Sequence, residues 1–322
     1  MKYQSEAALE RNLIESLSKN GYEKINIKDQ ADLKDNFRQQ LSEFNKDKLK
    51  GNPLTDKEFQ IVMNRIEGKS IFESSKILRD KLEIEREDGE RLFLTIMDTQ
   101  KWCKNLFQIT NQITMRGKYE NRYDVTLLIN GLPLVQIELK RRGLDMKEAF
   151  NQISRYKTHG SYKGLFRYIQ IFVISNGVDT KYFSNSDGEL NYVYTFFWTD
   201  KENNRITNLK DFSQGFLEKC HISKMIARYT VLKEREKQLL VLRPYQVYAV
   251  EEIVKRATET KNNGYIWHTT GERVIIVTGC INALRSRVSG TLVNMIHALL
   301  RVIKYNYCKQ CMRSKDVLAL QY

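Results

Sequence analysis

Residues 123–140 read YDVTLLINGLPLVQIELK, two apolar runs joined by Asn130-Gly131. Asn-Gly between apolar runs is the strongest short-range signal for a β-hairpin. Side chains alternate along a strand, so Glu138 and Lys140 share one face of the second strand. If the loop takes Asn130 to Leu132, Ile129 pairs with Pro133 and Asp124 falls opposite Glu138 on that face. Two carboxylates and an ammonium then meet at one point, an arrangement suited to a divalent cation and a phosphodiester.

The remaining composition sets bounds. The 322 residues, 41% hydrophobic and 29% charged, suit roughly two soluble domains. The net charge of +14 invites a polyanionic partner. Residues 272–322 hold 8 basic against 2 acidic side chains, which leaves +8 on the first 271. Charge alone therefore supports DNA binding only weakly. The opening MKYQSEAALERN has no apolar signal core, and no stretch reaches about 18 uninterrupted apolar residues. The 5 cysteines are odd in number and scattered, which fits a reducing cytoplasm better than a disulfide framework. The expectation is a cytoplasmic protein without a membrane span.

Helices are expected at 5–19 (capped by Ser5), 29–44, from a Thr55/Glu58 capping box to Gly68, at 72–82 and at 146–156. Strands are expected at 91–96, 107–114, in the hairpin, and at 168–175, 181–183 and 191–197. This order predicts an α/β domain over 1–204, a mixed sheet flanked by helices. A charged helical linker over 205–238, which contains LKEREKQ, leads to a second composition at 239–271. There Gly264–Trp267 has the pattern of the first strand of another α/β unit. Residues 272–322 form an atypical tail.

Phosphodiester hydrolysis needs a water activated near neutral pH and a stabiliser for charge on the scissile phosphate, and a carboxylate-held cation supplies both. Mg²⁺ keeps several waters, so two or three acidic groups suffice. Asp124 and Glu138 are the candidate ligands, with the Leu139 carbonyl as a further one, and Lys140 faces the developing charge. The Glu-x-Lys spacing also occurs at Glu67-Gly-Lys69, where a solvated pair explains it. Spacing alone serves a metal site and a surface cross-strand ion pair equally well. Gln152 and Tyr156 lie four apart on the following helix, hence on one face, where they can hold a water or phosphate oxygen.

Together, Asp124, Glu138-Leu-Lys140 and Gln152-x-x-x-Tyr156 resemble the PD-(D/E)xK nuclease pattern in its RecB-like form. NGLPLVQIELK, the opening SEAALERNLIESLSKNGYE and VISNGVDTKYF at 173–183 resemble the R subunits of type I restriction enzymes, over nearly the whole chain to Gly271. That resemblance implies a restriction-endonuclease-like fold, an Mg²⁺-dependent endonuclease, double-stranded DNA as substrate, and modification and specificity subunits as partners. It also implies a glutamate from the first helix at the metal, matched by Glu10, with Glu6 one turn earlier as the alternative.

The R subunits continue into a superfamily 2, RecA-like motor driven by ATP. Leu242-Arg243-Pro244-Tyr245-Gln246 resembles its beginning, with Gln246 as the adenine reader, and GYIWHTTG at 264–271 resembles the approach to its phosphate loop. Arg243, Tyr245, Gln246, Thr270 and Gly271 are thus the implied nucleotide-binding residues. After Gly271 the chain reads Glu-Arg-Val where a P-loop has Gly-Lys-Ser/Thr, and none follows downstream. ATP binding is thereby in doubt, and a frameshift or recombination scar accounts for the tail. Cys308-Lys-Gln-Cys311 is half a zinc site at most, since structural zinc usually joins two such halves. A catalytically silent fragment that binds DNA or partner subunits, and a standalone RecB-like nuclease, remain the competing functions.

Overall fold

The computed structural model describes residues 5–116, 119–259, 264–266 and 275–277. The chain forms two compact units, one of residues up to Trp198 together with Ile206–Val241, the other of Thr199–Arg205 together with the described residues from Leu242 on.

In chain order the first unit begins with α1 (Glu6–Lys19), β1 (Glu23–Lys24), α2 (Gln30–Phe44), α3 (Asp56–Ile66) and α4 (Ile71–Arg79). Next come β2 (Lys81–Glu85), β3 (Arg91–Thr95), β4 (Phe107–Arg116), β5 (Glu120–Ile129) and β6 (Leu132–Leu139). After α5 (Met146–Thr158) follow β7 (Ile171–Ser175) and β8 (Thr180–Ser184), while β9 (Trp198–Thr199) and β10 (Arg205–Ile206) lie at the two ends of the Thr199–Arg205 segment. The unit closes with α6 (Leu209–Gly215), α7 (Lys219–Ala227), β11 (Thr230–Lys233) and β12 (Gln238–Val241). Caps anticipated from the sequence are present: Ser5 accepts from Ala8 N–H, and Thr55 and Glu58 form a reciprocal box.

Six strands make one sheet in the order β1-β4-β5-β6-β7-β8. β1–β4 and β6–β7 are parallel and the other pairs antiparallel. The parallel step from β6 to β7 requires a crossover, which α5 supplies while packing on both strands. α1 buries Leu9, Leu13 and Leu17 and packs against β4, β5 and β6. Every residue of β6 and β7 is buried, so these central strands are apolar almost throughout. The polar exceptions in β6, Gln136 and Glu138, therefore stand out.

The hairpin register differs in detail from the expected one. The turn contains only Asn130 and Gly131, and Ile129 pairs with Leu132. Both turn residues have positive φ, 51° and 81°, as a type I′ turn requires. A bulge opposite Leu127 and Leu128 then adds one residue on β6, so that Thr126 pairs with Gln136 and Val125 with Ile137. Continuing that register brings Asp124 level with Glu138, as the longer loop was expected to do. Asn130 is fully buried and satisfied. Its side chain donates to Ile96 O and Asn105 Oδ1 and accepts from Leu106 N–H, each at 2.8 Å. A Cβ on Gly131 would meet the Phe37 backbone at 2.8 Å, so α2 lies directly against the turn.

Four further expectations are corrected. Residues 205–238 are no helical linker: Ser213 on α6 bonds Ser16 on α1 at 3.1 Å, and the Tyr22 hydroxyl donates to Leu217 O at 2.8 Å. LKEREKQ instead makes the turn between antiparallel β11 and β12, where alternating Leu239 and Val241 are buried. Lys81–Glu85, whose first residues were expected to end a helix, is the strand that pairs with β3. Residues 191–197 hold a 3-10 turn at Tyr192–Tyr194 rather than a strand, and only Phe196 bridges to Tyr182. Among the scattered cysteines, Cys103 and Cys220 form a disulfide between α7 and a 3-10 turn at Trp102–Lys104. No described helix is long and apolar enough to cross a membrane.

The second unit contains α8 (Pro244–Glu259), β13 (Gly264–Ile266) and β14 (Ile275–Val277). β13 is the strand expected at 264–267, and it pairs antiparallel with β14. Thr270, Gly271, the P-loop position, Cys308 and Cys311 lie outside the described residues.

Gly131→Ala should be costly on two counts, left-handed φ and a backbone clash. A loss of about 2–4 kcal/mol in denaturant unfolding is expected, from strain plus overpacking. Gly143→Ala, at φ 95° but in open space, should cost only the strain.

Candidate active site

Asp124 and Glu138 come together because β5 and β6 share a register, and the chain's burial of β6 then determines their chemistry. Glu138 is fully buried. Its Oε2 accepts from Gln136 Nε2 at 3.2 Å, while its Oε1 has no hydrogen-bond partner. Asp124 Oδ2 accepts the Leu139 backbone N–H at 2.8 Å. Lys140 is buried, its backbone N–H bonds Ser175 O at 2.8 Å, and its Nζ donates to Leu139 O at 3.1 Å.

Burial raises the Asp124 carboxyl to about 6, aided by the charge of Glu10 and opposed by the Leu139 N–H and Lys140. The Glu138 carboxyl is also raised well above the ordinary carboxylate range, first through burial and then through the facing Asp124, with Lys140 opposing. Two carboxyl groups facing one another compete for one proton. A nearby cation would relieve that repulsion.

Tyr156, on α5, donates from its hydroxyl to Arg122 O at 3.1 Å and accepts the Gln152 side-chain amide. Burial and the charges of Glu138 and Asp124 raise the Tyr156 phenol, which therefore stays protonated beside the acids. The structure thus brings Asp124, Glu138, Lys140, Gln152 and Tyr156 to one end of the β5–β6 pair.

Glu10 stands apart from the other two acids in its bonding. Its two carboxylate oxygens accept the side-chain amides of Asn111 and Gln112. Gln112 sits at positive φ, 57°, between the pairs Asn111–Val125 and Ile113–Tyr123, and so opposite Asp124. Glu6 instead accepts the Arg141 backbone N–H at 3.2 Å. Among the described residues no three His, Cys, Asp or Glu side chains are gathered as a metal-ligand group. The acids drawn together are therefore the pair Asp124 and Glu138.

The donor set, two carboxyl groups and the Leu139 carbonyl, is all oxygen and suits a hard cation such as Mg²⁺. The buried, unpartnered Glu138 Oε1 is the atom that most needs one. On these observations the residues fit the cation.

Three neighbours were missed from sequence. Gln136 shares a strand face with Glu138 and Lys140, so the alternation Gln-x-Glu-x-Lys was a usable signal. Tyr123 and Tyr162, stacked at 5.3 Å, both lie in the field of Glu138. Nothing in the local sequence marks either of them.

At the start of α8, Gln246 Oε1 accepts the Arg243 backbone N–H at 3.0 Å, as an N-terminal helix cap. Arg243, Tyr245 and Gln246 thus lie together at one helix end.

A mixed sheet flanked by helices, with an acid pair and a lysine on its central hairpin, defines a restriction-endonuclease-like α/β domain. Residues 3–191 match the family described as the type I restriction enzyme R protein N terminus. The chain belongs to that family. It is 57% identical over 271 residues to an endonuclease subunit of a type I restriction enzyme from Staphylococcus aureus strain COL, covering 84% of this chain and 29% of that protein. A type I endonuclease subunit from Escherichia coli is 37% identical over 261 residues, 78% of this chain and 82% of that one. One from Haemophilus influenzae is 31% identical over 223 residues, 61% and 20% respectively. The chain spans less than a third of the length of the staphylococcal relatives.

The raised carboxyls give a prediction with a definite sign. Asp124 holds its proton more tightly folded than unfolded, so metal-free stability falls as pH rises from about 4 to about 6 and stays low above it. A rise of about two units corresponds to roughly 3 kcal/mol. Asp124→Asn keeps an acceptor for the Leu139 N–H and removes the charge. In EDTA at pH 7.5 its thermal midpoint should exceed that of the wild type, and the gap should close at pH 4. A lower midpoint at pH 7.5 would show that the acids are not in conflict.

Proposed function

We propose that this chain carries the Mg²⁺-dependent DNA endonuclease domain of a type I restriction R subunit. The observation that carries the proposal is half-buried Asp124 level with fully buried Glu138 beside Lys140, in a chain of this family. Asp124, Glu138 and the Leu139 carbonyl would hold the cation, which when bound activates water and offsets charge on the scissile phosphate.

The remaining work falls to the chain's own groups. Lys140, now resting on Leu139 O, is within reach of a phosphate oxygen or the attacking water once that carbonyl is engaged. The Tyr156 hydroxyl, held by Gln152 and Arg122 O, presents a protonated donor for a phosphate oxygen.

The wider assignment follows the relatives. The substrate would be double-stranded DNA, the partners modification and specificity subunits, and the compartment the cytoplasm. Glu10, whose charge acts on Asp124, would be the further acid from the first helix, each of its oxygens keeping a second lone pair beside the amide it accepts. The residues from Leu242 on would begin an ATP-driven motor, with Arg243, Tyr245, Gln246, Thr270 and Gly271 toward the nucleotide. Because Glu272-Arg273-Val274 replaces Gly-Lys-Ser/Thr, this chain would not translocate DNA.

The test is cleavage of supercoiled plasmid with Mg²⁺, with and without ATP. Mg²⁺-dependent nicking that falls at least about 100-fold in Asp124→Ala, Glu138→Ala and Lys140→Ala, and that does not respond to ATP, is expected. Cleavage that survives these substitutions would refute the site. A folded wild type that cuts under no divalent metal would favour a silent DNA-binding fragment.

A further inference from the structure

Cys103 and Cys220 are bonded across the junction between the 3-10 turn at Trp102–Lys104 and α7. The two residues differ in surroundings. Cys103 is exposed, whereas Cys220 is half-buried in the first turn of α7. A helix N-terminus favours a thiolate, and so do neighbouring cations. Lys219 precedes Cys220, and exposed Lys101 and Lys104 flank the residues around Cys103. Lys224 Nζ lies 5.2 Å and the Arg228 guanidinium 5.6 Å from the ring centre of Trp102, the residue beside Cys103. Glu218, the helix N-cap, is the opposing charge, and its carboxylate is engaged by the His221 N–H at 2.8 Å. Buried structural disulfides resist thiols, whereas exposed ones with a stabilised leaving thiolate exchange readily. The junction also reaches the hairpin. Two residues beyond Cys103, the Asn105 side chain donates to Ser223, one turn after Cys220, at 3.0 Å and accepts from the Asn130 side-chain amide at 2.8 Å.

We propose that Cys103 and Cys220 are a reversible thiol–disulfide pair, opened at Cys103 by a low-molecular-weight thiol such as glutathione, whose closure steadies the Asn130–Gly131 turn. A glutathione thiolate attacks the Cys103 sulfur, the bond between the two cysteines breaks, and its electron pair leaves on Cys220, which takes a proton from solvent. A second glutathione thiolate attacks the glutathione sulfur of the mixed disulfide and expels the Cys103 thiolate, which is protonated in turn. In sum, one protein disulfide and two thiols give two protein thiols and one glutathione disulfide. The bond closes by the reverse sequence, with glutathione disulfide as the oxidant. Closed, it holds α7 on the segment that carries Asn105, which keeps Ser223 and Asn130 on that one side chain. Open, only noncovalent contacts hold the junction, and the turn that sets the strand register opens more often. None of this depends on what the acid pair binds.

The experiment places the folded full chain in glutathione buffers of graded reduced-to-oxidised ratio, quenches with acid, alkylates, and maps each cysteine by peptide mass spectrometry. The Cys103 and Cys220 peptides should pass reversibly between bonded and doubly alkylated forms across the series. A pair that stays bonded in excess reduced glutathione, or stays as two thiols in excess glutathione disulfide, overturns the proposal. Early in reduction the glutathione adduct should be trapped on Cys103, and an adduct found first on Cys220 overturns opening at Cys103. Hydrogen exchange reads the coupling to the hairpin. The Asn130 backbone amide, bonded to Leu106 O at 2.8 Å in the closed form, should exchange about tenfold faster in the reduced chain. Equal rates in the two redox states overturn the link to the turn. Cys220→Ser should exchange at the reduced rate in either buffer, and a redox-dependent rate in that variant places the effect at another cysteine and overturns the link. Should Cys220→Ser fail to fold, Cys103→Ser, at the exposed position, serves as the same control.

Discussion

Two carboxyl groups, Glu138 fully buried and Asp124 half-buried, are held level on adjacent strands, and the rest of the domain serves to keep them there. Register alone sets their meeting. Asn130 and Gly131 make the tight turn, and the bulge opposite Leu127 and Leu128 restores the alignment that a two-residue turn would otherwise offset by one. A slip of one residue would move Glu138 to the opposite face of the sheet. The turn is fixed in turn by its surroundings: α2 closes on Gly131, and the buried Asn130 side chain ties the turn to Ile96, Asn105 and Leu106. Asn105 in turn accepts the Asp98 N–H and donates to Ser223 on α7.

The cost of this arrangement is local. Burial raises both acids, the charge of Glu10 adds to the rise of Asp124 and that of Asp124 to the rise of Glu138, and Lys140 offsets this only in part. A domain shaped only for stability would place Gln or an apolar residue at 138. An acid there, opposite another, is what the proposed cation-binding role would require. The same reasoning separates Asp124 and Glu138 from Glu10, whose carboxylate is already satisfied by two amides.

Much of this was legible in the amino-acid sequence. Asn130-Gly131 between apolar runs announced the hairpin, alternation put Glu138 and Lys140 on one face, and helical spacing put Gln152 with Tyr156. The capping residues Ser5, Thr55 and Glu58 marked helix starts correctly because capping is a local interaction. Failures came where tertiary context decides. LKEREKQ has the composition of a helix, yet the burial of Leu239 and Val241 makes its flanks a hairpin. The strand at Lys81–Glu85 exists because β3 pairs with it, not because its own residues favour β structure. The Cys103–Cys220 bond joins residues 117 apart, a distance at which spacing carries no information.

The central claim is that Asp124 and Glu138 form one cation site. The most direct measurement is the anomalous scattering of Mn²⁺ in crystals of this chain grown or soaked above pH 7, where both acids can ionise around the metal. A single strong peak within coordination distance of both carboxyl groups is predicted. A peak bound by Glu10 without Glu138, or no peak at this hairpin in crystals that bind Mn²⁺ elsewhere, would contradict it.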